Sequence, residues 1–163
     1  MAHGSAPHGY ADIVKYFGDP APVLGKASLR WEGANMVLVR DLPGVAKLYV
    51  HRKIVEPLRA ALTDCAAFDW YPKTIGCFNV RQKRSGSGLS MHAFGAAVDI
   101  DAMLNPMIVN CPPGDPRRQE WRDSEQRIPD AVIEIFQRQG WNCGALWTGK
   151  TFDPQHFQWG TGY

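Results

Sequence analysis

The sequence predicts an α+β fold: a single compact domain in which a small antiparallel sheet is accompanied by two or three helices. Three observations carry this. The 163 residues suit one domain and can bury a sizeable core. Apolar residues recur with period two in several short runs but with helical spacing in only two stretches. Sixteen glycines and 12 prolines separate these runs irregularly, unlike the regular strand–helix repetition of a doubly wound sheet.

Residues 1–34 are rich in Gly, Pro and Ala and read as an irregular N-terminal arm, leaving 35–163 as the working domain. Met36-Val37-Leu38-Val39 reads as a buried strand, and Lys47 to His51 alternates as a second. Ile54, Val55, Leu58, Ala61 and Leu62 mark an amphipathic helix over about 53–64, with Pro57 tolerable in its first turn. Cys77 to Val80 is a third strand candidate, and 83–90, rich in Ser and Gly, is a flexible loop by composition. Ala97 to Asp101 places Val98 and Ile100 on one strand face and Asp99 and Asp101 on the other. Asn105 to Pro116 reads as a long loop. Pro129 suits a helix start, Val132, Ile133 and Phe136 supply the stripe, and Gly140 ends it. His156 to Trp159 alternates as a last strand, with His156 and Gln158 on one face.

A net charge of +2 excludes a strongly basic nucleic-acid binder, and no nucleic-acid partner is expected. The total hides an asymmetry. Residues 1–84 carry 12 basic and 7 acidic side chains, whereas 85–163 carry 6 and 9. The positive half suits an anionic surface such as a cell wall, and the acids of the second half call for a partner. No apolar run approaches the ~18 residues of a membrane span, so stable membrane insertion is not expected. Met1 to Tyr10 has no apolar signal core, which predicts synthesis in the cytoplasm without a signal peptide. Cys65, Cys77, Cys111 and Cys143 lack CxxC spacing, which disfavours a four-thiolate zinc knuckle; reduced thiols and one or two disulfides both remain open.

His3 and His8 lie in the arm, and His51 follows an apolar strand, where a structural or surface role is expected rather than metal binding. His92 and His156 differ, because each has a carboxylate near it. In Ser90-Met91-His92-Ala93-Phe94-Gly95-Ala96-Ala97-Val98-Asp99, a loop histidine precedes an outward-facing strand carboxylate, and Gly95 lets the backbone turn. An imidazole and a carboxylate brought together are good ligands for Zn²⁺. In Asp153-Pro154-Gln155-His156, the proline extends Asp153, and His156 supplies a third ligand. Three protein ligands with one open position describe a catalytic zinc, and Asp153 can reach a water there without ligating. Either pair alone is equally compatible with a strand-edge cap and a hydrogen-bonded histidine.

The pattern S-x-H-x-x-G-x-A-x-D followed by D-x-x-H resembles the zinc D-alanyl-D-alanine carboxypeptidases and L-alanyl-D-glutamate endopeptidases, the VanY-like peptidases. Asn79-Val80-Arg81, Asn105-Pro106, Gly140-Trp141-Asn142 and Trp147 extend the resemblance over about residues 75–160, whereas Cys143-Gly144-Ala145 departs from it. It implies a zinc cleft with His92, Asp99 and His156 as metal ligands, Asp153 as general base and Arg81 as oxyanion or carboxylate partner. Arg84 competes with Arg81 for that role; Ser90 and Trp147 complete the substrate contacts. The expected partner is the peptidoglycan stem peptide, met by a monomeric phage-type endolysin acting on the wall from the periplasm or from outside. The expected bond is L-Ala–D-Glu, resembling endopeptidase members in having Asp rather than Glu at the base. A D-Ala-D-Ala carboxypeptidase and a non-catalytic zinc-containing binding module are the alternatives.

Overall fold

A computed structural model describes residues 5–84 and 88–162. His3 and residues 85–87 of the Ser/Gly loop lie outside them. The first helix, α1 (Gly9–Phe17), buries Ile13 and Phe17 and stops at Gly18, whose φ of 78° suits glycine. A second, α2 (Leu29–Asn35), is capped by Ser28, whose Oγ accepts the Trp31 N–H at 3.3 Å. The segment read as an irregular arm therefore contains two helices. Its composition masked a helical stripe, Tyr10, Ile13, Val14 and Phe17, of which the last three pack into the core. The arm also meets the far end of the chain: Gly9 N–H donates to the Thr161 carbonyl and Thr161 N–H to that of Pro7.

Strands β1 (Met36–Val39) and β2 (Leu48–His51) pair antiparallel, as their apolar runs predict. A 3₁₀ turn leads into α3 (Val55–Ala66), which buries Pro57, Leu58, Ala61, Leu62 and Cys65 along one face. Strand β3 is Ile75–Gly76, two residues before the predicted strand at 77–80. Residues 77–80 form no strand because Asn79 N–H donates to the His92 carbonyl, across from a turn rather than a ladder. Next come β4 (Ala97–Ile100) and the short β5 (Ile108–Val109), which lies inside the predicted long loop. Asp101 leaves the strand with φ 47°, and its carboxylate accepts the Thr74 N–H at 2.7 Å.

That predicted loop ends in a further helix, α4 (Pro116–Asp123), with Asp115 capping and Pro116 opening it. Helix α5 (Asp130–Arg138) has Pro129 as its cap and Gly140 beyond its end at φ 94°. The strands β6 (Asn142–Cys143), β7 (Thr151–Phe152) and β8 (His156–Gln158) complete the chain. The central sheet runs β3-β4-β8-β6, antiparallel throughout, and β5 pairs with β7 apart from it. The α+β class holds, with five α-helices among the described residues. Val98, Ile100, Phe136 and Phe157 are fully buried beneath the sheet, and Phe136 and Phe157 lie 4.5 Å apart by ring centroid.

Two buried polar groups tie loops to this core. Asn105 accepts from Trp121 Nε1 and Ile128 N–H and donates to the Asp101 carbonyl. Arg118 donates to the carbonyls of Cys111, Trp147 and Gly149, fixing the segment before β7. The four cysteines are free and buried, and burial pushes the Cys65 and Cys143 thiols up to about 12. Among the described residues no helix is long and apolar enough to cross a membrane.

His51 is structural, as expected. Its Nδ1 accepts the Lys53 N–H at 3.1 Å, so Nε2 carries the proton that meets the Phe17 carbonyl at 3.1 Å. Burial holds its pKa down at about 4. The unfolded chain takes up this proton below pH ~6.5 and the native state resists it, so stability falls as pH drops from there toward 4. The full loss is about 3 kcal/mol. Urea unfolding at pH 7 and pH 4.5 should show a smaller pH-dependent loss in His51→Gln than in wild type; equal losses would contradict this reading.

Candidate metal centre

The register of the central sheet builds the site. Asp99 on β4 stands directly opposite His156 on β8, so both project from one face, away from Val98 and Phe157. On its other side Asp99 faces Gly76 of β3, which carries no side chain to cover the carboxylate. His92 arrives from a 3₁₀ turn, Met91–Phe94, capped by Ser90, whose Oγ accepts the His92 N–H at 3.3 Å. That turn ends at Gly95 with φ 62°, where a Cβ would meet Met36 Sδ at 2.7 Å and His51 N at 2.9 Å. Glycine there lets the chain reverse directly from His92 into β4.

Three atoms converge. His92 Nε2 lies 3.1 Å from Asp99 Oδ1 and 3.1 Å from His156 Nδ1, and the latter lies 3.0 Å from the same carboxylate oxygen. The outer ring atoms decide what these nitrogens present. His92 Nδ1 is 2.6 Å from the Cys77 carbonyl, which can only accept, so it carries a proton. His156 Nε2 faces Gln158 Oε1 at 3.0 Å, and Gln158 Nε2 in turn donates to the Gly160 carbonyl at 3.1 Å. In its neutral form each imidazole would turn a lone pair toward the other and toward an anionic oxygen. Three acceptors in van der Waals contact repel unless a positive charge lies between them. Tetrahedral zinc with bonds of ~2.0–2.1 Å spaces its ligands by a little over 3 Å, close to this triangle. The His92–Asp99–His156 cluster could hold a metal ion.

The charges agree with this. Burial opposes the charge of Asp99, but its bonds to His156 and His92 outweigh burial and hold the carboxyl well below the ordinary range. Burial likewise opposes a charged His156, yet Asp99 and the Asp153 charge raise it. A cation would take the place of the positive charge that His156 is pushed to carry and would be balanced by the ionised Asp99.

Asp153 sits just outside the triangle. Its carbonyl accepts the His156 N–H at 3.0 Å in the turn before β8, and its Oδ1 accepts Gln155 Nε2 at 3.2 Å. Burial pushes its carboxyl up and the Asp99 charge adds to this, with His156 opposing. Gly144 makes the placement possible, because a Cβ there would lie 2.2 Å from the Asp153 carbonyl oxygen. A cleft of about 610 Å³ brings Asp153 and His156 together with Arg81, Arg84, Ser90 and Trp147. The Trp147 ring lies 5.5 Å from that of His156, and its Nε1 donates to Asn142 Oδ1 at 2.6 Å. Arg84 reaches Met107 Sδ at 3.8 Å. The candidate ligands read from the sequence, His92, Asp99 and His156, thus form the cluster, and Asp153, Arg81, Arg84, Ser90 and Trp147 line this cleft. Gln158, Gly144 and the Cys77 carbonyl escaped that reading. Only Gln158 carried a signal, sharing a strand face with His156.

Gln158 orients a ligand without touching the metal position. Gln158→Leu should keep the fold but weaken zinc affinity by about 10–100-fold, the usual cost of losing such a partner. Competition against a chromogenic chelator measures this; unchanged affinity would contradict the assigned tautomer.

A family model described as D-alanyl-D-alanine carboxypeptidase matches residues 83–159. The match takes in His92, Asp99, Asp153 and His156 and stops short of Arg81. No curated protein and no solved structure matches the chain. Residues 83–159, which carry all three clustered side chains, are thus similar to the D-alanyl-D-alanine carboxypeptidases.

Proposed function

We propose that this protein is a zinc-dependent peptidase of peptidoglycan stem peptides, an endolysin-type enzyme that cuts the L-Ala–D-Glu bond. The observation that carries the reading is a buried acid, Asp153, that lines one cleft together with His156, a member of the converging His–Asp–His triangle. His92, Asp99 and His156 would hold the zinc ion, which supplies Lewis acidity and a water acidified toward neutral pH.

The protein's own groups do the rest. Asp153 accepts the proton of the attacking water and returns it to the leaving amine nitrogen. Its raised pKa suits a carboxyl that must hold a proton between those two steps. Arg81 lines the cleft, where its charge would serve the developing oxyanion or a substrate carboxylate. Burial and then Arg84 lower its pKa, yet guanidinium stays charged. Ser90 holds the His92 turn and is not a nucleophile. Trp147 forms a wall of the cleft beside His156.

Asp rather than Glu at position 153, as in the endopeptidase members that the motif resembles, supports the internal bond. The matched family's description supports a second reading, removal of a terminal D-Ala. On the first reading the enzyme acts on the wall from the periplasm or from outside. A carboxyl set to shuttle protons argues against a merely binding module.

Zinc-loaded protein should release muropeptides with new D-Glu N-termini by mass spectrometry, and chelation should abolish this. Free D-Ala instead would move the assignment to the carboxypeptidase. Asp153→Ala should keep zinc and fold while losing about 10²–10⁴-fold in turnover. Turnover within tenfold of wild type would remove Asp153 from this role.

A further inference from the structure

The cleft carries more positive charge than one oxyanion requires. Arg81, Arg84 and Lys150 all line it, and among the described residues no carboxylate lies within ion-pair distance of any of them. Elsewhere Arg59, Arg117 and Arg127 each have an acidic partner. Arg81 and Arg84 repel each other, which depresses Arg81 after burial has done so. Repulsion of this kind persists in a fold when a ligand charge relieves it.

Two of these cations come from segments other than those that carry the metal cluster. Arg84 comes from the segment after β3 and leans on Met107, just before β5. Lys150 stands at the start of β7, its carbonyl accepting the Cys111 N–H and so fixing its backbone against the end of the β5 segment. Arg118 holds the same segment through the Trp147 and Gly149 carbonyls. The Lys150 backbone is thus pinned on both sides while its side chain is exposed. Lys150 precedes Asp153 by three residues, about 10 Å of extended chain. An extended substrate covers that length in about three residues.

We infer that Arg84 and Lys150 form a second anion site in this cleft, which takes a free carboxylate two to three residues from the bond that is cut. The inference rests on the peptidase reading and names its substrate: an acidic stem peptide with that carboxylate free, in preference to one with it amidated. A guanidinium and an ammonium on separate segments bind a carboxylate by charge-assisted hydrogen bonds, whereas a carboxamide loses the charge and offers one acceptor oxygen.

The test uses two synthetic stem peptides, identical except that the third residue carries a carboxylate in one and a carboxamide in the other. Binding is measured by calorimetry on the zinc-loaded full chain carrying Asp153→Asn, so that nothing is cut. The acid form should bind about tenfold more tightly, and the preference should fall to about one when Arg84→Gln and Lys150→Gln are added. Both side chains are exposed, so the fold should persist, and zinc content checks it. Binding of the two peptides within twofold, or a preference that survives the double substitution, would overturn the site. Cleavage by the wild-type holoenzyme is followed in parallel. If the acid preference holds and neither peptide is cut, the anion site stands and the peptidase reading fails.

Discussion

The structure depends on a repulsion that something positive must relieve. Two imidazole nitrogens and one carboxylate oxygen lie 3.0–3.1 Å apart, with their lone pairs turned inward. The tautomers are not free to change this, because the Cys77 carbonyl and the Gln158 amide oxygen each claim the outer proton of a ring. Gln158 is itself held by the Gly160 carbonyl. The site is therefore organised two bonds deep before any ion arrives.

The remainder of the fold holds these atoms in place. The pairing of β4 with β8 sets Asp99 across from His156, while Val98 and Phe157 sink the opposite face into the core. A one-residue slip would bury the ligands and expose the phenyl ring, so the apolar alternation guards the metal site. Gly95 and Gly144 act by absence, one allowing the turn from His92 into β4, the other allowing the Asp153 backbone to approach. Arg118 and Asn105 turn the long connections into fixed walls by satisfying carbonyls that would otherwise be buried without partners.

Much of this was legible in the residues. Period-two alternation placed Asp99 and His156 on the strand faces opposite Val98 and Phe157, in strands that the structure contains, and the S-x-H-x-x-G-x-A-x-D spacing brought His92 to them. Helices α3 and α5 announced themselves by their stripes. Helix α1 did not, because Gly and Pro around it outweighed four apolar positions at helical spacing. The strand read at 77–80 fell where hydrogen bonding to the His92 turn overrides β-propensity. Gly144 and Arg118 were illegible for a different reason: their partners lie 9 and up to 31 residues away, and only the folded chain brings them together.

What fills the triangle can be read by X-ray absorption at the zinc edge on the purified, zinc-loaded protein. One zinc per chain is expected, with two nitrogen neighbours and one or two oxygen neighbours at ~2.0–2.2 Å, and no sulfur shell. His92→Ala should remove one nitrogen or the ion itself. A sulfur shell at ~2.3 Å would place the metal on the cysteines and contradict the account.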